Sequence, residues 1–171
     1  PTSPAISSIT VPTNAESNYV RGTVTVTGTG SDNRGIDYFR FYIDGVSVGT
    51  ASTSAYTYSW NTTASSAGAH TLKTRVYDVA GNYADTIDHT RYVDNTPPSF
   101  DLGSTIYKNA THSFAPAITE ANLHSSAYLW SGTGVPFGSS TSASTTASCP
   151  SDAARTVNLR VRDKAGNAPT D

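Results

Sequence analysis

Polar and apolar residues alternate one for one over residues 20–29 (VRGTVTVTGT), with Val20, Gly22, Val24 and Val26 on one side and threonines on the other. A period of two is the mark of a strand with one face buried, so this stretch predicts a half-buried β-strand. Residues 36–44 (IDYFRFYID) repeat the pattern with larger side chains: Phe39, Phe41 and Ile43 on the core side, Tyr38, Arg40 and Tyr42 on the outer side. Asp44-Gly45 is a two-residue hairpin signal leading into a strand at 46–50. Residues 56–60 place Tyr56, Tyr58 and Trp60 together, opposite Thr57 and Ser59. With a short first strand in AISSITV and a last one at 83–93, the first half holds seven short strands with turns between them. That rhythm predicts a β-sandwich.

The strand between these, HTLKTRVYDVAGN at 70–82, returns 85 positions later as RTVNLRVRDKAGN at 155–167, identical at seven of thirteen positions. A repeat at that spacing divides the chain into two domains, each long enough for its own core. Both copies alternate inward residues (Leu72, Thr74, Val76; Val157, Leu159, Val161) and end in D-x-A-G-N. In that turn the Asp accepts hydrogen bonds from turn amides, the Gly supplies a positive φ and the Asn tolerates the left-handed region. The first domain is assigned to residues 1–94 and the second to 99–171. Residues 95–98 form the linker, stiffened by Pro97 and Pro98.

The second half is patterned more weakly, with strands expected at 99–102, 112–118, 125–130, 142–149 and 155–163. Eleven residues of final strand follow Asn82, but only four residues follow Asn167. The second sandwich is therefore expected to lack its final strand within this chain, leaving 155–163 beside an unpaired edge. Either the polypeptide continues past Asp171 or a donated strand completes the sheet.

Composition narrows the function. Net charge is −2 with 14% charged residues, which gives no electrostatic footprint for nucleic acid. No apolar run is long enough for a spanning helix, so no membrane insertion is expected in this segment. The chain begins at Pro1 and has no Met, as expected of a piece of something longer. Ser and Thr exceed a quarter of the residues, which suits exposed strands of a secreted protein. Cys149 is the only cysteine and reads as a small buried hydrophobe. The four histidines (70, 89, 112, 124) lie far apart and no G-x-S-x-G occurs, so no catalytic residues and no enzyme activity are expected. Asn61-Thr-Thr and Asn109-Ala-Thr match the glycosylation acceptor pattern.

The segments GTVTVTGTGSDNRGIDYFRFYIDG, AYTYSWNTT, AHTLKTRVYDVAGN and YVDNTPP together resemble the bacterial immunoglobulin-like (Ig-like) domains found in tandem on surface proteins. The second half keeps VRDKAGN and LWSGTG and looks like a divergent member. The resemblance implies an all-β chain of two tandem immunoglobulin-like β-sandwiches. It also implies a non-catalytic extracellular module at the cell surface or secreted: a spacer, an assembly unit of a surface layer (S-layer) or fibre, or an adhesin stalk. An accessory region of a secreted hydrolase is the other setting. Expected partners are neighbouring copies of the protein or adjacent Ig-like domains, and a glycan or host surface protein in the adhesin reading.

Two candidate sites follow. With the sheet ordered as in this family, Tyr38, Arg40 and Tyr42 stand beside Lys73, Arg75 and Tyr77, an aromatic and cationic face for a sugar or protein partner. Cross-strand pairing accounts for the same residues without a ligand. The Asp94-Asn95 linker resembles the calcium-binding linkers of cadherin-type tandem domains. Glu16, Asp94, Asn95, Glu120, Asp163 and Asn167 are the candidate oxygen ligands for calcium, and turn or cap formation is their alternative role. No other cofactor is expected.

Overall fold

The structure, a computed structural model, describes residues 2–52, 56–102, 110–149 and 155–170. The chain divides into two compact units, Pro1–Asn95 and Thr96–Asp171.

In the first unit, β1 (Ala5–Thr10), β3 (Thr23–Ser31) and β6 (Thr57–Asn61) form one sheet in the order β1-β3-β6. The other sheet is built from β2 (Tyr19–Val20), β4 (Ile36–Ile43), β5 (Val46–Ala51), β7 (Gly68–Asp78), β8 (Tyr83–Asp85) and β9 (His89–Val93). Its order is β2-β9-β7-β4-β5, with β8 also on β7. The inward residues of both sheets meet in one core: Ile9, Val24, Val26 and Trp60 from the first, Val20, Phe39, Phe41, Leu72, Val76 and Val93 from the second. Fully burying each of these side chains is worth about 1.5–3 kcal/mol, so the two alternating patterns, stacked face to face, supply the driving force. Gly28 is required by this packing, because a Cβ there would sit 2.5 Å from Cδ1 of Phe39.

Several expectations are corrected. The single strand at 20–29 is two strands in different sheets: Tyr19 and Val20 pair in parallel with Tyr92 and Val93, and the chain changes sheets at Gly22, whose φ is 64°. The final strand at 83–93 is broken into β8 and β9, and Thr74 N bonds instead to the Thr86 hydroxyl at 3.0 Å between them. Within the loop at 61–69 lies a 3-10 turn, Thr62–Ala64, capped by the Asn61 side chain, and β7 begins earlier than the repeat, at Gly68. The hairpin Asp44-Gly45 has φ of 50° and 77°, as a two-residue turn demands.

In the second unit, β10 (Thr111–Phe114) pairs with β12 (Thr145–Ser148), and β11 (Leu123–Ser131) pairs with β13 (Asn158–Asp163). The core is smaller: Trp130, Leu159 and Val161, flanked by Phe114, Leu123, Tyr128 and Phe137 among others. Trp130 donates from its indole to the carbonyl of Ser142 at 2.8 Å, which pins the Ser-rich segment over the core. Cys149 is buried with a free thiol. Where a strand was expected at 99–102, Ser99 forms an isolated bridge with Thr119. The expected strand at 155–163 begins only at Asn158.

The edge of β13 is not left bare. Thr170 pairs with Arg160 and Val161 N donates to the carbonyl of Pro169 at 3.3 Å. This is the place β8 takes on β7, where Arg75 pairs with Asp85. Pro169 and Thr170 thus lie along β13 as β8 lies along β7.

Candidate functional site

The D-x-A-G-N turn closes both repeated strands in the same way. Asp78 Oδ1 accepts from the amides of Ala80 and Asn82, both at 2.8 Å, and its Oδ2 accepts from Asn82 Nδ2 at 2.8 Å. Asp163 Oδ1 accepts from Asn167 N at 2.8 Å and Oδ2 from Asn167 Nδ2 at 2.6 Å. Gly81 and Gly166 take φ of 85° and 87°, a region open to glycine at no cost. The Asn role is corrected: Asn82 and Asn167 do not enter the left-handed region, but return an amide proton to the Asp carboxylate. These bonds hold the Asp78 carboxyl below the usual carboxylate range, the Asn82 side chain contributing most.

The outer face of β4 and β7 gathers all six residues expected on it. Strand register sets Tyr38 against Tyr77, Arg40 against Arg75 and Tyr42 against Lys73. Tyr38 and Tyr77 stack at 4.4 Å with 17° between planes, and Tyr83 leans on Tyr77 at 5.8 Å. Arg40 covers both Tyr38 and Tyr77, at 5.8 and 5.5 Å, while Lys73 lies over Tyr42 and Arg75 over Tyr83. Arg75 forks onto Asp85 at 2.6 and 2.8 Å. That contact raises the guanidinium pKa further and lowers that of the Asp85 carboxyl. Burial, then the neighbouring Tyr77, pushes the Tyr38 phenol up, so it stays a hydrogen-bond donor.

Tyr38 and Tyr77 spend ring faces on each other and on Arg40. The surface they offer is made of ring edges, hydroxyls and one guanidinium rather than an open stacking platform. Tyr83 and Asp85 belong to this cluster and went unnoticed in the sequence. Their signal was the segment after the turn, since a strand returning along β7 must set position 83 beside 77 and 85 beside 75.

The six candidate calcium ligands fall three to each unit. In the first unit Asn95 works as a clamp: its Oδ1 accepts from Gly22 N at 2.8 Å and its Nδ2 donates to the carbonyl of Thr62 at 3.1 Å. Asp94 is buried and its amide bonds to Val20 O, and the carbonyl of Glu16 accepts from Tyr19 N. In the second unit Glu120 caps Asn122 N at 2.7 Å, and its carboxylate lies within 4.8 Å of that of Asp163. Asp163 is fully buried, and both of its oxygens are bonded to Asn167. The side chains of Asn95, Glu120, Asp163 and Asn167 thus bond within their own unit.

His70 is the most constrained of the histidines. Its Nδ1 lies 2.7 Å from Asp44 Oδ2, its Nε2 2.9 Å from the carbonyl of Ser66, and its ring meets Trp60 edge-on. Both nitrogens face acceptors, an arrangement that favours the protonated form. Burial opposes the charge, but the bonds to Ser66 and Asp44 outweigh it, and the pKa is raised. The Ser66 hydroxyl also lies 3.4 Å from Nε2, so Ser66, His70 and Asp44 stand in one line of contacts. Asn61, of the first glycosylation pattern, is exposed, and its oxygen accepts from the Thr63 amide and hydroxyl. Asn109, of the second, lies outside the described residues.

Residues 6–73 match the bacterial Ig domain family. No curated protein matches the sequence. Among solved structures, the chain is similar in fold to the fibronectin(III)-like modules of CbhA from Clostridium thermocellum. The TM-score there is 0.58 at 16% identity, over 96% of this chain and 90% of that one. A chitinase, ChiA74 from Bacillus thuringiensis, aligns with TM-score 0.41 at 16% identity, over 98% of this chain and 26% of that one. Dimeric latent PorU from Porphyromonas gingivalis aligns with TM-score 0.42 at 15% identity, over 99% of this chain and 20% of that one. Bacterial Ig domains are typical of extracellular and surface proteins, and commonly non-catalytic. Among the described residues no helix is long and apolar enough to cross a membrane.

Proposed function

Since residues 6–73 carry a bacterial Ig domain, we propose that this chain is a non-catalytic extracellular spacer, a pair of β-sandwich units within the stalk of a surface or secreted protein. One observation carries the reading: the segment joining the units holds two successive prolines, Pro97 and Pro98, and the residues on either side of it are bonded each into its own unit. The Asp94 amide and the Asn95 side chain are bonded into the first unit, and Ser99 exchanges both backbone bonds with Thr119 in the second. Thr96 follows, its carbonyl accepting from Asn167 Nδ2 at 3.5 Å, and then Pro97 and Pro98, which have a fixed φ and no donor. A connection stiffened by two prolines suits a stalk.

The experiment is ¹⁵N relaxation of the full chain. Thr96 should show an order parameter like those of β7 and β13, near 0.85, whereas a value below about 0.6 marks a flexible tether and overturns the spacer reading. An accessory role beside a catalytic domain is the second reading, supported by the fold shared with the CbhA modules. Self-assembly into a surface layer or fibre would use contacts between copies, and regular arrays in electron micrographs of the purified chain are its test.

A further inference from the structure

The two units treat the same position in opposite ways. In the first, Arg75 on β7 is neutralised by Asp85, its partner across the strand pair, and Tyr77 follows it on the outer face. In the second, the equivalent arginine is Arg160, but the residue paired with it is Thr170, and the place of Tyr77 is taken by Arg162. Leu159, Val161 and Asp163 point into the core, so Asn158, Arg160 and Arg162 share the outer face of β13. Among the described residues, no ion pair involves Arg160 or Arg162. Arg162 Nη2 lies 3.3 Å from Nδ1 of His124, and its Nε is buried with no hydrogen-bond partner among the described residues. A guanidinium without a carboxylate partner in its own unit can take one from an anionic ligand in a charge-assisted pair.

The strip continues past Asn158. Across from it on β11 stands Ser131, and with Thr133, Thr156, Arg155 and Asn158 it lines a polar cavity of about 520 Å³. From Asn158 to Arg162 the strand spans about 13 Å, at roughly 3.3 Å per residue, long enough for more than one unit of a polymer. Hydroxyls and an amide alternate with cations, and only Leu129 adds an exposed apolar side chain. Protein interfaces have an aromatic or aliphatic centre, which this strip lacks. We infer that the outer face of β11 and β13 is a binding site for an acidic polysaccharide, whose carboxylates pair with Arg160 and Arg162 and whose hydroxyls meet Ser131, Thr133 and Asn158. The site adds a ligand to the spacer reading and does not depend on it.

The test is affinity electrophoresis of the full chain through gels containing polygalacturonate, with the carboxyl-reduced neutral polymer and polyglutamate as controls. Retention by polygalacturonate alone is expected, weakening as NaCl rises from about 50 to about 200 mM, as ion pairing requires. Two variants separate binding from folding. Arg160→Ser with Arg162→Ser removes the cations, and Thr170→Asp keeps both arginines but restores the neutralising acid of the first unit. Each should weaken retention at least tenfold with the melting transition in place. Absence of retention, equal retention of the neutral polymer, or unchanged retention in both variants overturns the site. Retention by polyglutamate in preference to the polyuronate replaces the sugar with an acidic protein segment and also overturns it.

Discussion

Replacing Asp163 with Ala measures how much of the second unit rests on one turn. The side chain is fully buried, and it receives two bonds from Asn167, itself buried, at 2.8 and 2.6 Å. Hydrogen bonds to a charged group are worth about 1.5–3 kcal/mol each, and an orphaned buried donor costs about 1–3. Both bonds serve one partner and do not add fully, so a loss of about 3 kcal/mol or more is expected. A unit of about 75 residues has roughly 4–11 kcal/mol in total, so the change removes a large share of it. It should lower the melting temperature of that unit by roughly 12 °C or more. Each unit has one tryptophan, so the assay is thermal melting followed by Trp130 fluorescence in a Trp60→Phe background. Asp163→Asn should fall between wild type and Asp163→Ala, because it still accepts from the Asn167 amide while its own amide faces another donor. A loss under about 1 kcal/mol in Asp163→Ala would refute the reasoning, since the turn amides would then be as well served by water.

The His70 contact predicts a pH effect on the first unit. Its pKa is raised in the folded state, so the stability it adds is complete below its ordinary value of about 6.5 and is lost as pH rises through the folded value. Asp44 is shifted down, chiefly by the Thr71 amide, so its contribution is lost only as pH falls through its own lowered value. Asp44 is half exposed, which holds the pair to about 1 kcal/mol. Melting followed by Trp60 should weaken as pH rises above about 6.5 in wild type and not in His70→Gln; equal slopes in the two would remove the pair from the account. Gly28→Ala should cost the first unit about 1–3 kcal/mol by urea unfolding, as its Cβ meets the Phe39 ring, and a neutral result would show that the ring has room to move. Calcium held by Glu120 and Asp163 would raise the melting temperature in millimolar calcium, with the gain lost in chelator and in Glu120→Gln. A melt indifferent to both removes the ion.

The strands were legible wherever alternation was strict and the inward residues large: Phe39, Phe41, Leu72 and Val76 could face only one way. The change of sheet at Gly22 was not, because Val20 and Val24 keep the same parity and parity says nothing about which neighbour a strand takes. The break between β8 and β9 was hidden for a related reason, since Thr86 bonds to the backbone through a side chain that also suits a strand. In the second unit much of the closure is by side chains, as with Trp130 to Ser142 and Thr145 to Ser139, and such bonds leave no periodic trace. Clustering on the outer face of β4 and β7 was readable from one strand's alternation set against the other's. The neutralisation of Arg75 was not, as it needed the register of β8.

The account rests on the repeated strand and turn holding equivalent places in two separately folded units. Native-state hydrogen exchange tests this most directly, by following the amides of Val76 and Val161 in wild type and in Asp163→Ala. Both should rank among the slowest to exchange in wild type, and the substitution should speed Val161 by a hundredfold or more, as a loss of about 3 kcal/mol requires, while leaving Val76 unchanged. Acceleration of both together would mean one cooperative structure and would contradict the account.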